Sequence, residues 1–228
     1  MSNPDLQPPV NPLPPLVVLV FLAMAGIEAA LSLGAAGLIG GPEAIGWRLA
    51  LVREYGFTAS VLDWMAQTGN WQLTHLKRLL TYPFVFQGFT HAVFAMVLLL
   101  ALGKLVAEAM GQIAFAVIFV VSGIGGAVIY ALLLSDIGWL IGGFPSVYGL
   151  IGGYSFILWR NLGAAGEPQA RAFALIGLLM AVQLIWGILF GASWQWVAEL
   201  AGFFCGFGLS FVLAPGAWQR LRDRLRQR

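Results

Sequence analysis

The sequence predicts an all-α integral membrane protein, a bundle of six transmembrane helices with a long interfacial first loop. Two compositional observations and one periodic one carry this. Hydrophobic residues make up 60% of the 228 positions and charged residues only 10%, where a soluble domain of this size carries about 25% charge. Mean hydropathy is +0.85, so hydrocarbon is the expected solvent, and helices satisfy their backbone polar groups within it. The apolar residues fall into six blocks of span length, at 16–39, 84–107, 113–134, 141–159, 172–190 and 196–213.

Each segment has a local reason. Residues 1–15 hold six of the eleven prolines and read as an extended, disordered lead-in. They lack the basic n-region of a cleavable signal peptide, so the first apolar block is expected to stay as a span. Gly40, Gly41 and Pro42 end that block. Residues 43–82 mix Trp47, Trp64 and Trp71 with Arg48, Arg53, Glu54, Asp63, Lys77 and Arg78. This is too polar to span and suits short helices lying at the headgroup level. Short connectors make the later helices antiparallel neighbours. Residues 16–214 thus form one membrane domain, followed by a basic tail, 215–228.

The tail carries Arg220, Arg222, Arg224, Arg226 and Arg228 against one acid, Asp223. The positive-inside rule makes it cytoplasmic. Six spans then put the N-terminus on the same side and the 43–82 loop outside, although that loop holds four basic residues. Trp218, Leu221 and Leu225 fall on one face of a tail helix, which reads either as an anionic-lipid anchor or as a solvated topogenic segment. The short connectors and the lack of a disulfide framework fit a bacterial inner membrane.

Composition also narrows the chemistry. A single cysteine, Cys205, forbids an intrachain disulfide, and two histidines, His75 and His91, argue against a multi-histidine metal centre. No metal, cofactor or nucleic-acid partner is expected. Inside the spans, Glu28, Gln183 and Glu199 are costly polar groups that need partners or a function. Lys104 sits near a helix end and can snorkel.

Three segments carry a resemblance. The first runs Leu79-Leu80-Thr81-Tyr82-Pro83-Phe84-Val85-Phe86-Gln87-Gly88-Phe89-Thr90-His91 and closes with Glu108-Ala109-Met110-Gly111. The second is Ile141-Gly142-Gly143-Phe144-Pro145-Ser146-Val147-Tyr148-Gly149-Leu150-Ile151-Gly152, and the third Ala198-Glu199-Leu200-Ala201-Gly202-Phe203-Phe204-Cys205-Gly206. In order and spacing they resemble the second, fourth and sixth helices of the rhomboid intramembrane serine proteases. The family patterns are R-x-L-T-x-x-F-x-H-x-x-x-x-H before an asparagine and Glu-x-x-Gly, then G-x-S-G-x-x-[YF]-G-L-x-G, then A-H-x-x-G-x-x-x-G. The resemblance implies a serine nucleophile on the fourth helix and a histidine base on the sixth. An asparagine and a histidine near the second would stabilise the oxyanion. It also implies a lateral opening between the second and fifth helices.

This chain departs from the pattern where the chemistry sits. Phe144 stands at the nucleophile position and Pro145, which has no N–H, at the glycine after it. Glu199 stands at the base position, and Ala95, or Met96 if the alignment is anchored on Glu108, at the asparagine position. Phe86 replaces the first family histidine and His91 keeps the second. Dyad members act as a unit, so losing both reads as loss of the reaction. The scaffold positions remain: Tyr148, and the helix-packing glycines Gly149, Gly153, Gly202 and Gly206.

The candidate remnant or binding residues are therefore His91, Ser146, Tyr148 and Glu199. Ser146 is two positions from Phe144, about 200° around a helix, and is expected to point away as a packing residue. His91 reads as a structural hydrogen-bonding residue or a catalytic remnant. Glu199 is expected to pair with Tyr148 or a backbone carbonyl, or to hold a polar group of a client helix. The reading is a rhomboid-like pseudoprotease that binds transmembrane helices of client or partner proteins. The alternatives are an active protease using a displaced Ser146 and a structural subunit of a larger membrane complex.

Overall fold

A computed structural model describes residues 12–134, 138–190 and 193–216. Of the lead-in expected to be disordered, 1–15, residues 1–11 lie outside these, as does the expected tail helix, and Pro15 is already the first residue of the first long helix. Six long helices form the bundle: α1 (Pro15–Ala35), α6 (Phe89–Met110), α7 (Gln112–Leu133), α8 (Phe144–Ala164), α9 (Ala174–Phe190) and α10 (Gln195–Leu213). The 43–82 region folds as expected into short pieces, α2 (Trp47–Tyr55), α3 (Ala59–Thr68), α4 (Leu73–Leu76) and α5 (Arg78–Thr81), with a 3-10 turn at Pro42–Gly46. An isolated antiparallel bridge between Phe57 and Leu140 ties this region to the approach to α8.

Five of the long helices are long and apolar enough to cross a membrane by length and composition. The exception is α8, and its surroundings explain why. It is buried nearly continuously from Pro145 to Phe156, enclosed by α10, α7 and α6 and by the Gln169–Phe173 turn. A helix that faces protein rather than lipid has no need of an apolar surface all round, and α8 carries Ser146, Tyr148, Tyr154 and Ser155.

Pro145 lies in the first turn of α8, where a missing N–H costs nothing. The α8–α10 pair is the closest in the bundle. A Cβ on Gly202 would overlap the Pro145 carbonyl, one on Gly206 the Gly149 carbonyl, and one on Gly152 the Phe203 carbonyl. Backbone therefore lies on backbone, as small residues at this spacing permit. Gly149 and Gly153 serve other neighbours as well: a Cβ on Gly149 would collide with Ser122 of α7, and one on Gly153 would press Ile118 and Val106 at 3.3 Å.

The second span begins later than expected. Residues 84–107 were the predicted block, but Tyr82–Phe84 is a 3-10 turn and the helix starts at Phe89. The Phe86 carbonyl instead accepts from Arg48 Nη1 at 2.8 Å. That guanidinium also grips Glu28 of α1 with both nitrogens, at 2.9 and 2.7 Å, and Ser32 Oγ adds a bond of 2.8 Å. Glu28 is 2% exposed. One charged cluster thus fastens the interfacial loop to α1 and to the turn before α6. Farther out, Lys77 pairs with exposed Glu54 and holds its carboxyl below the ordinary value.

The fifth long helix differs from the rest. Only 12% of its span window is buried, and Leu178, Val182, Leu184, Ile185, Ile188 and Leu189 are all more than half exposed. Its main backbone neighbour is the Gln169–Phe173 turn that leads into it.

Candidate functional site

The helices α6, α8 and α10 all begin at the same end of the bundle, because α7 and the other connecting helices return the chain there each time. Their first two turns supply His91, Phe144 and Glu199, and these three line one cavity of about 660 Å³. The fifth helix closes its outer side with Met180, Val182, Gln183, Leu184, Gly187 and Ile188. Ser193, Gln195 and Trp196 form the rim where α10 starts.

The position of His91 depends on the loop before α8. Gly142 has φ +94°, a conformation open to glycine, and its N–H donates to the Tyr82 carbonyl at 3.0 Å. A Cβ there would stand 2.7 Å from His91 Cε1, so the imidazole fits against bare backbone. Its ring lies 4.7 Å from that of Phe144, tilted by 38°, and 5.9 Å from Phe86 at a steep angle. His91 Nδ1 is buried without a hydrogen-bond partner. An aromatic ring thus occupies the place beside the imidazole.

Glu199 is 5% exposed. Its carboxylate accepts from Gln183 Nε2 across the gap between α10 and α9. Tyr148, from α8, is near enough to act on the same carboxyl. Tyr148 is thus a neighbour of Glu199, while the hydrogen bond to the carboxylate comes from the amide of Gln183, a partner that a reading of one helix at a time missed. Gln183 Oε1 remains unpartnered.

The other candidate positions lie away from this cavity. Ser146 is fully buried and turned toward α7, where a Cβ on Gly123 would strike its Oγ. That Oγ has no hydrogen-bond partner. Tyr148 belongs to the packed core, as do Ala95 and Met96. The serine that does line the cavity is Ser193, which nothing in the motifs singled out; its Oγ accepts from the Gln195 N–H at 3.3 Å. Among the described residues no serine hydroxyl is hydrogen-bonded to an imidazole. No group of three or more His, Cys, Asp or Glu side chains among them could hold a metal ion.

What the arrangement can do chemically is limited and specific. Hydroxyl activation needs a base within hydrogen-bond reach, and here the facing groups are a phenyl ring and a carboxyl held by a neutral amide. Such a cavity can accept hydrogen bonds from a polar group entering beside α9.

The family model of the Rhomboid domain matches residues 73–216, more than half of the chain. RHOMBOID-like protein 4 of Arabidopsis thaliana is 32% identical over 137 residues, which cover 60% of this chain and 34% of that protein. The chain therefore spans about a third of the length of that relative. The matched region contains α6 to α10 and the whole of the cavity, and with the six-helix bundle it shows that this chain belongs to the rhomboid family.

Proposed function

We propose that this rhomboid family member is a pseudoprotease, which binds transmembrane helices of client or partner membrane proteins without cutting them. The observation that carries the reading is the cavity itself: Phe144 and Glu199 stand in it where the family pattern has serine and histidine. The weakly packed α9 beside it supports helix binding, because its apolar face lacks a protein neighbour over most of its length. The same reading places the protein in a bacterial inner membrane with both termini cytoplasmic, supported by the arginine-rich tail.

An active-site fluorophosphonate probe tests the catalytic half of the proposal. Purified protein in detergent is expected to stay unlabelled. Labelling that disappears in Ser146→Ala or Ser193→Ala would replace this reading with an active protease. Binding is tested by photo-crosslinking from Ile188 to a transmembrane peptide in nanodiscs. A stoichiometric partner that survives detergent purification would instead mark a structural subunit of a larger complex.

A further inference from the structure

Among the described residues two carboxylates are buried in the spans, and their surroundings differ in a telling way. Glu28 receives a bidentate guanidinium and a hydroxyl, a full set for an ionised acid. Glu199 has a neutral donor instead, the Gln183 amide. Among the described residues lining its cavity, Glu199 is the single acid, and there is no lysine or arginine. An acceptor is also left over, because Gln183 Oε1 is buried without a donor. Buried polar atoms in this state call for an explanation. A group that donates several hydrogen bonds and carries positive charge, as a lysine or arginine side chain does, would satisfy both the carboxylate and that carbonyl; His91 Nδ1 is the other unpartnered atom of a residue lining the cavity.

Resting on the client-binding reading above, we infer that the cavity selects client transmembrane helices that carry a basic residue near the membrane end where α6, α8 and α10 begin, with Glu199 as its counter-charge. Gln183 holds the carboxylate when the cavity is empty. It sits on the most exposed of the long helices, so its amide can yield to an ammonium or guanidinium while its own carbonyl accepts one of the donors. Depth follows from helix geometry: Glu199 lies four residues past Gln195, the start of α10, or about 6 Å along the axis. A client's basic residue about one to two turns inside its span reaches that level. A cation left in hydrocarbon is costly, so a buried counter-charge discriminates strongly between helices that are otherwise alike.

The test uses the full chain in nanodiscs, with a benzophenone amino acid at position 188, and leucine-alanine transmembrane peptides that differ at one site about two turns from the end. That site is leucine, lysine or glutamate. The lysine peptide is expected to be captured about tenfold more than the leucine peptide, the equivalent of 1.4 kcal/mol. Glu199→Gln should abolish that difference while still capturing the leucine peptide, and Glu199→Lys should favour the glutamate peptide. Equal capture of lysine and leucine peptides by the unaltered residue 199 overturns this inference and leaves client binding standing. Capture of no peptide at all overturns both, and this comparison does not depend on any Glu199 variant folding.

Discussion

Gln183 on α9 donates its amide to the carboxylate of Glu199 on α10, joining the most exposed long helix of the bundle to one of its best buried. Glu199 is buried, so water competes little for its carboxylate, and each group loses this hydrogen bond when the other is removed. Gln183→Leu is expected to destabilise the protein by about 1–3 kcal/mol, the cost of a buried acceptor left short of a donor. Glu199→Leu should cost a similar amount, and Glu199→Gln less, because an amide can still bond to Gln183. The double change Gln183→Leu with Glu199→Leu should recover part of the loss, which a thermal-unfolding mutant cycle in detergent will read. Strict additivity would mean that the two side chains do not interact.

Arg48 performs a different task at the base of the interfacial loop. Its removal strands Glu28 in the bundle, and loss of one member of a buried pair costs about 3–5 kcal/mol. Arg48→Ala should therefore lower the unfolding midpoint sharply and free the 43–82 region to limited proteolysis. Glu28→Leu combined with Arg48→Leu should restore much of the midpoint. If Arg48→Ala unfolds within about 0.5 kcal/mol of the parent, the cluster does not hold the loop.

The contrast between Gly206 and Gly208 isolates close packing from helix propensity. A Cβ at Gly206 would overlap the Gly149 backbone, whereas one at Gly208 meets nothing within 4 Å. Gly206→Ala should destabilise by about 1–3 kcal/mol through forced separation of α8 and α10. Gly208→Ala should be neutral or stabilising by up to about 1 kcal/mol. Paired unfolding curves decide it, and equal effects at the two sites would remove the backbone-contact account.

At the surface, Lys77 holds the Glu54 carboxyl below its ordinary value through a hydrogen bond and its charge. Its contribution is present above the unfolded carboxylate value and is lost as pH falls through the lower folded one. Lys77→Met should move the Glu54 titration back up toward the ordinary range, seen by carboxyl NMR. The unfolding midpoint at neutral pH should hardly change, since exposed pairs are worth little. An unmoved titration would show that the pair does not form in solution.

The features readable in advance are those that repeat over short stretches of chain. Gly202 and Gly206 announce a close helix contact by spacing alone, and the turn of about 100° per residue already points Ser146 away from Phe144. The interfacial loop betrays itself by tryptophan beside arginine. What stays hidden depends on distant partners. Nothing local tells Glu28 that its cation is Arg48, 20 residues away across a turn, or tells Glu199 that the Gln183 amide will meet it. The late start of α6 has the same origin: the block around Phe86 is apolar enough to be helix, but its carbonyl is taken by Arg48. Ser193 escapes notice because it belongs to a connector with no motif.

The enclosure of α8 also bears on which way the chain is threaded. A survey that counts only strongly apolar stretches finds five crossings, an odd number that would leave the two ends of the polypeptide in different compartments. Counting α8, the fourth of the six long helices, makes the number even, and the proposed topology then returns Leu213 to the side from which Pro15 set out. On that proposal, reporter domains fused at the two ends should give the same readout, although the helix that decides it is buried almost entirely among its neighbours.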